Sequence, residues 1–590
     1  MSVLRDKYRV LAPRAEYLYD TVILAQAWKK SHAYVRKHNW YADTLELDCS
    51  AVSLDALLDL WSSELRSGEY RPAPVRLVPA PKNGVWVFNP ESDGGWGPRS
   101  NEDKKTALRP LAHIGIRDQT IATAVMLTLA DCIESAQGET FKDPERAAEA
   151  RVASYGNRLY CQWEHSRKKK RSKASFSWGN SDTYSRYFQD YQRFVERPGA
   201  IAQKLSIRES SNRIYIVKLD LSGFYDNIYH ARLLACLEAE YETFRRGRLA
   251  LPETDTEFWD IASQSLSFEW AADDHSLRDL LRDGELPRGL PQGLVASGFF
   301  SNAYLLDFDR SIQEGLEDLQ QTDDVAFKVH DYCRYVDDLR LVVSTMPEID
   351  LDSLGAVVSD WVQTHLDQAI VVGEGSSAKL TINSGKTEVE IFSAVGGQSG
   401  VAARMKTLQH QLSGPFDMAA LHQLEGGLDG LLALAELDLG ESDEDAADTS
   451  ELQLACVARP KLEVRDDTLT RFSAYRLTKS LRLRRSMTDL EQNDTAKAGF
   501  DHEFEVTGRR LVAAWARNPS LVQVLRYGLD IFPSPNLLDP ILEALRRQLD
   551  SCPRQRHVAL YVIAELLKAG ATETGWRDAK DVSFKPGDIS

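Results

Sequence analysis

Three acidic residues stand where a folded chain would ordinarily favour apolar ones. Asp220 follows the Ile/Val/Tyr-rich run of "RIYIVKLDLSGFY" (213–225), and Asp337 and Asp338 interrupt the apolar stretch "RYVDDLRLVV" (334–343). The first run has the β-branched content of a strand. The second reads as a hairpin of two short strands with the acids at its turn. Singly, an acid at a strand end is a turn former, and an Asp-Asp pair suits a surface turn. If the two strands are neighbours, three carboxylates converge, and such a cluster repels itself unless cations bind. Two divalent ions ~3.5–4 Å apart would neutralise it and hold an attacking and a leaving oxygen in line. Mg²⁺ suits such a site, because it takes a few carboxylates and completes its shell with waters and phosphate oxygens. The same ions would stabilise the charge that develops in phosphoryl transfer.

The elements that must position these acids belong to a long, ordinary globular sequence. The chain has 590 residues, 43% hydrophobic and 27% charged, enough for several domains with a large core. The first ~400 residues alternate helical and β-like patterns, as in an α/β or α+β domain; "KTEVEIFSAV" (386–395) is a further strand candidate. Beyond them the pattern becomes helical. "ALHQLEGGLDGLLALAELDL" (420–439) is amphipathic, "GESDEDAADTS" (440–450) is an acidic loop, and four later segments carry apolar residues every three or four positions with Asn-Pro or Ser-Pro breaks. Paired helices of this kind suit an α-solenoid or a plain bundle.

Charge and composition exclude some classes. A net charge of −17 argues against a surface coated throughout in nucleic acid, though not against a local basic groove. "HSRKKKRSK" (165–173) is the one strongly basic run, a solvated loop or a phosphate-tracking segment; the aromatics of "SFSWGN" and "YSRYFQDYQRF" that follow suit base stacking. The apolar stretch "IATAVMLTLADCI" (121–133) is shorter than the ~20 residues of a membrane span, and the first ten residues carry charges where a secretory signal is apolar. Seven scattered cysteines without a Cys-x-x-Cys pair indicate neither a disulfide framework nor a zinc site. A cytoplasmic protein with no membrane partner is the expectation.

In order along the chain, the motifs resemble those of reverse transcriptases. "YVDD" (335–338) resembles the palm's catalytic motif, and Asp220 in "KLDLSGFYDNI" its first aspartate. "LPRGLPQGLVASGFFSNAYL" (286–305) resembles the Pro-Gln-Gly segment and its helix, with Ser297 and Asn302 along that helix, and "INSGKTEV" (382–389) the later lysine motif. Upstream, "EYRPAPVRLV" (69–78) and "LRPLAHIGIRDQTIATAV" (108–125) resemble the fingers, and "SYGNRL" (154–159) stands where related enzymes carry Gly-Phe-Arg. The resemblance spans roughly residues 60–395. It implies an α+β right-hand polymerase, with an N-terminal helical extension over 1–60, fingers and palm over 61–400 and an all-α, HEAT-like domain over 401–590.

It also implies roles. Asp220, Asp337 and Asp338 would be the catalytic metal ligands, holding two Mg²⁺ ions, with Mn²⁺ as an alternative. Tyr225 matches the steric gate that excludes a 2′-hydroxyl, its bland alternative being a core aromatic. Arg109, Arg71 and Lys104 would clamp triphosphate oxygens through cationic hydrogen bonds. Gln292 and Gly293 would let backbone approach the nucleotide and template, and Lys386 would lie near the leaving pyrophosphate. Arg158, Arg167, Lys168, Lys169, Lys170 and Arg171 would bind nucleic acid.

In detail the motifs look like those of bacterial abortive-infection and defence-associated reverse transcriptases: "SGFYDNIYHARL" (222–233), Ser-Gly at 297–298, "SYGNRL", and a long helical domain after the palm. That resemblance implies an RNA-directed or template-independent DNA polymerase in antiphage defence, using dNTPs, releasing a DNA product, copying a noncoding RNA or primed by protein, and working as a homo-oligomer. A conventional RNA-templated enzyme and a non-catalytic scaffold for nucleic acid or a phage protein are the competing readings.

Overall fold

The computed structural model describes most of residues 6–392 and 466–571. The longer stretches outside the described residues are 83–85, 89–94, 99–107, 166–171, 372–378, 393–427, 429–465 and 572–590. The helix expected over 420–439, Leu428 apart, and the acidic loop over 440–450 lie outside them. The chain divides into two compact units. One comprises Met1–Val78, Pro110–Arg278 and Leu286–Gly396; the other comprises Pro79–Arg109, Asp279–Glu285 and Gly397–Ser590.

The first unit begins with helices α1 (Ala15–Leu18), α2 (Thr21–His38), α3 (Thr44–Val52) and α4 (Leu54–Arg66). It continues through α5 (Ile116–Gln137), α6 (Pro144–Glu149), α7 (Tyr187–Arg208), α8 (His230–Arg246), α9 (Thr256–Leu266), α10 (Ser297–Tyr304), α11 (Leu306–Glu314) and α12 (Leu351–Ala369). Asp43, Asp143, Asp255 and Asp350 start α3, α6, α9 and α12 by accepting first-turn amide hydrogens. The apolar stretch over 121–133 lies inside α5, buried on nearly every side, which is why its hydrophobicity runs all round the helix. No described helix is long and apolar enough to cross a membrane. The helices of the N-terminal extension share one core with the sheet: Leu24, Leu58, Val125 and Leu219 belong to the same buried cluster.

Of the strands, β1 (Arg76–Pro81) pairs with β4 (Leu108–His113), β2 (Trp86–Phe88) with β3 (Trp96–Pro98), and β5 (Cys161–His165) with β6 (Ser172–Phe176). The main sheet has six strands: β7 (Arg213–Ser222), β8 (Leu319–Gln321), β9 (Ala326–Tyr335), β10 (Asp338–Thr345), β11 (Thr381–Ile382) and β12 (Glu388–Ile391). Its order is β11-β7-β10-β9-β8, and β12 also pairs with β7. All pairings are antiparallel.

Alternation along the central strands sorts the sheet into two faces. Tyr215, Val217, Leu219 and Leu221 of β7, with Leu339, Leu341 and Val343 of β10, enter the main core. The opposite face starts apolar, where Ile214 and Val342 meet Ile201, Ala202 and Leu205 of α7. Two residues at a time it turns polar: Lys218 faces Arg340, then Asp220 faces Asp338. A one-residue slip would bury both acids in the apolar core, so the hydrophobic pattern itself fixes where the acids emerge.

In the second unit the four helical segments read from sequence appear within helices Asp466–Thr488, Asp494–Arg517, Val522–Ile531, Pro535–Leu549 and Pro553–Ala571. The expected break at Asn518-Pro519 separates two of them, and Pro535 opens another. The β2–β3 hairpin also belongs to this unit, with Trp96 edge-on to Trp515 at 5.2 Å and its amide bonded to Gln548.

Candidate active site

The hairpin expected at "RYVDDLRLVV" forms, and its turn is tight. Tyr335 on β9 pairs with Asp338 on β10, leaving only Val336 and Asp337 between them. Val336 takes φ +60°, a left-handed conformation that a β-branched residue adopts only under strain. On the other side β10 pairs with β7 so that Asp338 lies directly opposite Asp220. Side chains opposed in this way share a face, with Cβ atoms ~4.5–5.5 Å apart. The carbonyl of Asp337 accepts the Leu221 amide at 3.0 Å, so the third acid is tied to the residue after Asp220. All three acidic residues therefore lie at one end of the β7–β10 pair, and Asp220 is only 7% exposed.

Lys386 joins them for a topological reason. β11 pairs with β7 at Ser222 and Leu221, and β12 rejoins β7 at Lys218, so residues 383–387 bulge out opposite Leu219 and Asp220. Within that bulge the Asn383 amide donates to the Asp220 carbonyl at 2.8 Å, its side chain reaches Asp220 Oδ2 at 3.4 Å, and Lys386 Nζ lies 2.8 Å from the same oxygen. The ammonium is half-exposed, the carboxylate nearly covered.

The donor set fits a hard divalent ion. It consists of carboxylate oxygens on adjacent strands, and it already draws one cation, the Lys386 ammonium. Among the described residues no three His, Cys, Asp or Glu groups yet converge to ligand distance, so these side chains would have to turn toward a shared ion. Asp220, Asp337 and Asp338 are the residues that would hold it.

Tyr225 stands beside this end of the sheet, in a 3-10 turn (Tyr225–Asn227) that follows β7. Its carbonyl accepts the Leu290 amide at 2.8 Å, and its hydroxyl accepts Asn157 Nδ2 at 3.1 Å. Burial, with the charge of Asp337 adding to it, holds the phenol well above its ordinary pKa, so it stays neutral.

A buried polar network backs the turn. Arg334, fully buried, makes a two-pronged ion pair with Asp309 at 2.8 Å on each arm, and donates to Asn302 Oδ1 at 2.9 Å. Asn302 in turn accepts from Ser154 and donates to the Gly156 carbonyl at 2.8 Å. The Tyr155 amide bonds the Arg334 carbonyl, so "SYGN" runs alongside the hairpin that carries Asp337 and Asp338. Sequence reading placed "SYGNRL" and Asn302 in motifs but missed this network of Ser154, Asn157, Asn302, Asp309 and Arg334, and the contact of Asn383 with Asp220. A charged Arg immediately before "YVDD", inside an apolar run, was the available signal.

Other expected site residues fall elsewhere. Arg158 is 3% exposed, paired with Glu134 at 2.8 Å and bonded to the Ser154 and Gly138 carbonyls, so its guanidinium is spent inside the fold and cannot meet a phosphate backbone. Gly293 is glycine for a protein reason: a Cβ there would overlap the Ala112 carbonyl and lie 2.7 Å from the Tyr41 hydroxyl. The Gln292 carbonyl accepts from both the Ala112 amide and Tyr41, so this backbone is engaged with its own chain and not held open for a ligand. Arg71 is exposed and bonded to the Gly68 and Tyr70 carbonyls, and Arg109 is exposed on β4, in the second unit. Lys104, Arg167, Lys168, Lys169, Lys170 and Arg171 lie outside the described residues. The aromatics after the basic run are mostly interior. Phe176 is buried, Tyr191 and Phe194 are buried against Tyr335, and only Tyr187 of that cluster is exposed.

One family model matches the part of the chain that holds this geometry. Residues 180–411 match the family model described as reverse transcriptase (RNA-dependent DNA polymerase). No curated protein matches the chain. Among solved structures, telomerase from Candida albicans, in complex with the TWJ fragment of telomeric RNA, is 13% identical, with a TM-score of 0.28 over 86% of this chain and 70% of that one. Apo telomerase from Candida tropicalis is 9% identical, with a TM-score of 0.27 over 87% and 74%. At these scores the likeness over the whole chain is loose. The family match covers both strands that carry the aspartates, the Pro-Gln-Gly segment and the lysine bulge, and the chain thus carries a reverse transcriptase domain at residues 180–411.

Proposed function

We propose that this protein is a DNA polymerase of the reverse transcriptase type acting in antiphage defence, joining deoxynucleotides by two-metal nucleotidyl transfer. The observation that carries the polymerase reading is the register of β7 and β10, which opposes Asp220 and Asp338 and ties Asp337 to Leu221. When bound, two divalent ions would neutralise these acids and polarise the reacting phosphate oxygens. The chain's own residues supply the rest. Tyr225 presents its ring beside the acids, where a 2′-hydroxyl would clash with it. Lys386 offers a half-exposed ammonium to the negative charge that leaves as pyrophosphate. Arg71 and Arg109 are kept as exposed candidates for triphosphate oxygens, and the basic run over 167–171 for the nucleic-acid backbone.

The defence assignment rests on the form of the motifs around Tyr225, the Pro-Gln-Gly segment and "SYGNRL". Synthesis without an RNA template and from a protein hydroxyl, or along an associated noncoding RNA, is part of the same reading. The helices of the second unit would serve as a HEAT-like repeat for self-association. The test uses cells carrying the gene and its neighbouring sequence under phage challenge, and the purified full chain with dNTPs and Mg²⁺ after nuclease treatment. Protection lost together with DNA synthesis in Asp337→Ala is the expected result, and synthesis surviving RNA removal would mark the untemplated form of the reading. Protection retained in Asp337→Ala would favour the scaffold, and synthesis lost with the RNA would mark an RNA-copying enzyme, on the associated noncoding RNA or a conventional template.

A further inference from the structure

Asn157 is the exception in its segment. Residues 152–159 are buried apart from Asn157, which is partly exposed and takes φ +51°, a left-handed conformation that Asn tolerates better than most residues. Its backbone is held there: Asn302 Nδ2 donates to the Asn157 carbonyl at 3.2 Å and to the Gly156 carbonyl at 2.8 Å. Its side chain is held too. It lies against Gly298 of α10, where a Cβ would come within 2.8 Å of Asn157 Cγ and Nδ2. The amide is thereby aimed at one group, the Tyr225 hydroxyl, 3.1 Å away and 68 positions along the chain.

Ser301, fully buried on the same helix, lies beside the phenol and donates its hydrogen to the Gly298 carbonyl at 2.9 Å. The Tyr225 hydroxyl thus sits between Asn157 and α10, with the Asn157 amide as its donor. With the Tyr225 carbonyl fixed by Leu290 at 2.8 Å, the residue is gripped at both ends. A ring gripped only by its backbone would retain rotation about χ1 and χ2 and could swing aside for a bulkier sugar.

We infer that Asn157 is a positioning residue for sugar selection: by holding the Tyr225 hydroxyl against α10, it fixes the ring in the path of a nucleotide 2′-hydroxyl. The inference rests on Tyr225 being the gate. The hydrogen bond is not needed for the chemical step, so its loss relaxes selectivity while leaving deoxynucleotide turnover in place.

The test is single-nucleotide addition by the full chain with Mg²⁺, read as kcat/KM for a dNTP over that for the matching ribonucleotide. Asn157→Gly keeps the left-handed backbone accessible while removing the amide. Tyr225→Phe keeps the ring and removes the other partner. Each should lower discrimination about three- to tenfold, as loss of one hydrogen bond of ordinary net strength does, by lowering ribonucleotide KM; deoxynucleotide kcat is read in Asn157→Gly, where it should change little. The double variant should lose no more than either alone. Tyr225→Ala is the control for the gate and should admit ribonucleotides outright. If Tyr225→Ala relaxes discrimination while Asn157→Gly and Tyr225→Phe both keep it at the wild-type value, the positioning role is overturned and the gate stands. If Tyr225→Ala itself changes nothing, the gate and the inference fall together.

Discussion

Lys386 Nζ lies 2.8 Å from Oδ2 of Asp220, the carboxylate that faces Asp338 across the sheet. The ammonium offsets part of the repulsion between two acids that the strand register forces side by side. It also occupies an oxygen that a divalent ion would need.

Exchange of the two cations is therefore expected. Lys386→Met should lower stability in metal-free buffer by about 0.5–1 kcal/mol, a modest figure because the ammonium is half-exposed. Added Mg²⁺ should close the gap, since the ion replaces what the lysine supplied. Thermal melts of both proteins in EDTA and in Mg²⁺ measure this, and an equal deficit in both buffers would contradict exchange.

Gly156 lies beneath the strained turn. A Cβ there would come 2.6 Å from Val336 Cγ2 and 2.7 Å from the Val336 amide nitrogen, so the backbone of the turn must move. Gly156→Ala should cost about 1–3 kcal/mol in overpacking. Displacing Asp337 and Asp338 by even ~1 Å should lower turnover about a hundredfold. Denaturant unfolding and steady-state kinetics on one preparation would show both effects; lost stability with unchanged turnover would mean that the turn does not set the acids.

The Arg334–Asp309 pair behind the turn is buried on both sides. Asp309→Ala strands a guanidinium in the interior and should cost about 3–5 kcal/mol. Arg334→Met in the same chain removes the stranded charge and should return part of that loss. A double-mutant cycle in urea reads the coupling, and simple additivity would contradict it.

Lys30 provides a pH-dependent case. It is fully buried in α2, its Nζ bonded to the Ser177 and Asp182 carbonyls at 3.2 and 2.7 Å and 4.4 Å from the Phe176 ring centroid. Burial pushes its pKa down to about 7, from 10.5. Between those values the unfolded chain holds the proton that the folded chain has released, so stability rises with pH across that window and is flat in this respect below it. Lys30→Met should lack the rise. Unfolding free energies at pH 6, 7.5 and 9 compare the two, and parallel curves would contradict the assignment.

Much of this site was legible because its chemistry is local in sequence. The alternation of "RIYIVKLDLS" places Asp220 on the face opposite Leu219 and Leu221, and "RYVDDLRLVV" can hardly be anything but a tight hairpin. Asp220 and Lys386 could be named from their motifs. What remained hidden depends on distant pairings. Nothing in "SYGNRL" says that Arg158 turns inward to Glu134 while Asn157 reaches Tyr225, because both outcomes are set by α5 and α10 packing around the segment. Gly293 and Gln292 were assigned to a ligand; the Gln292 carbonyl bonds Ala112 and Tyr41, and Gly293 packs closely against the same two, contacts that join residues far apart in sequence. The aromatics after the basic run share their composition with a stacking surface, but core burial claims most of them.

The most direct test is Mg²⁺-dependent incorporation of a labelled dNTP by the full chain, comparing wild type with Asp220→Asn and Asp338→Asn. These substitutions keep the shape of the opposed pair and remove one negative charge each. Incorporation should fall by about a thousandfold or more in either variant, the loss expected when a metal ligand worth several kcal/mol is removed. Near-wild-type incorporation in both would contradict a polymerase site built on the opposition of Asp220 and Asp338.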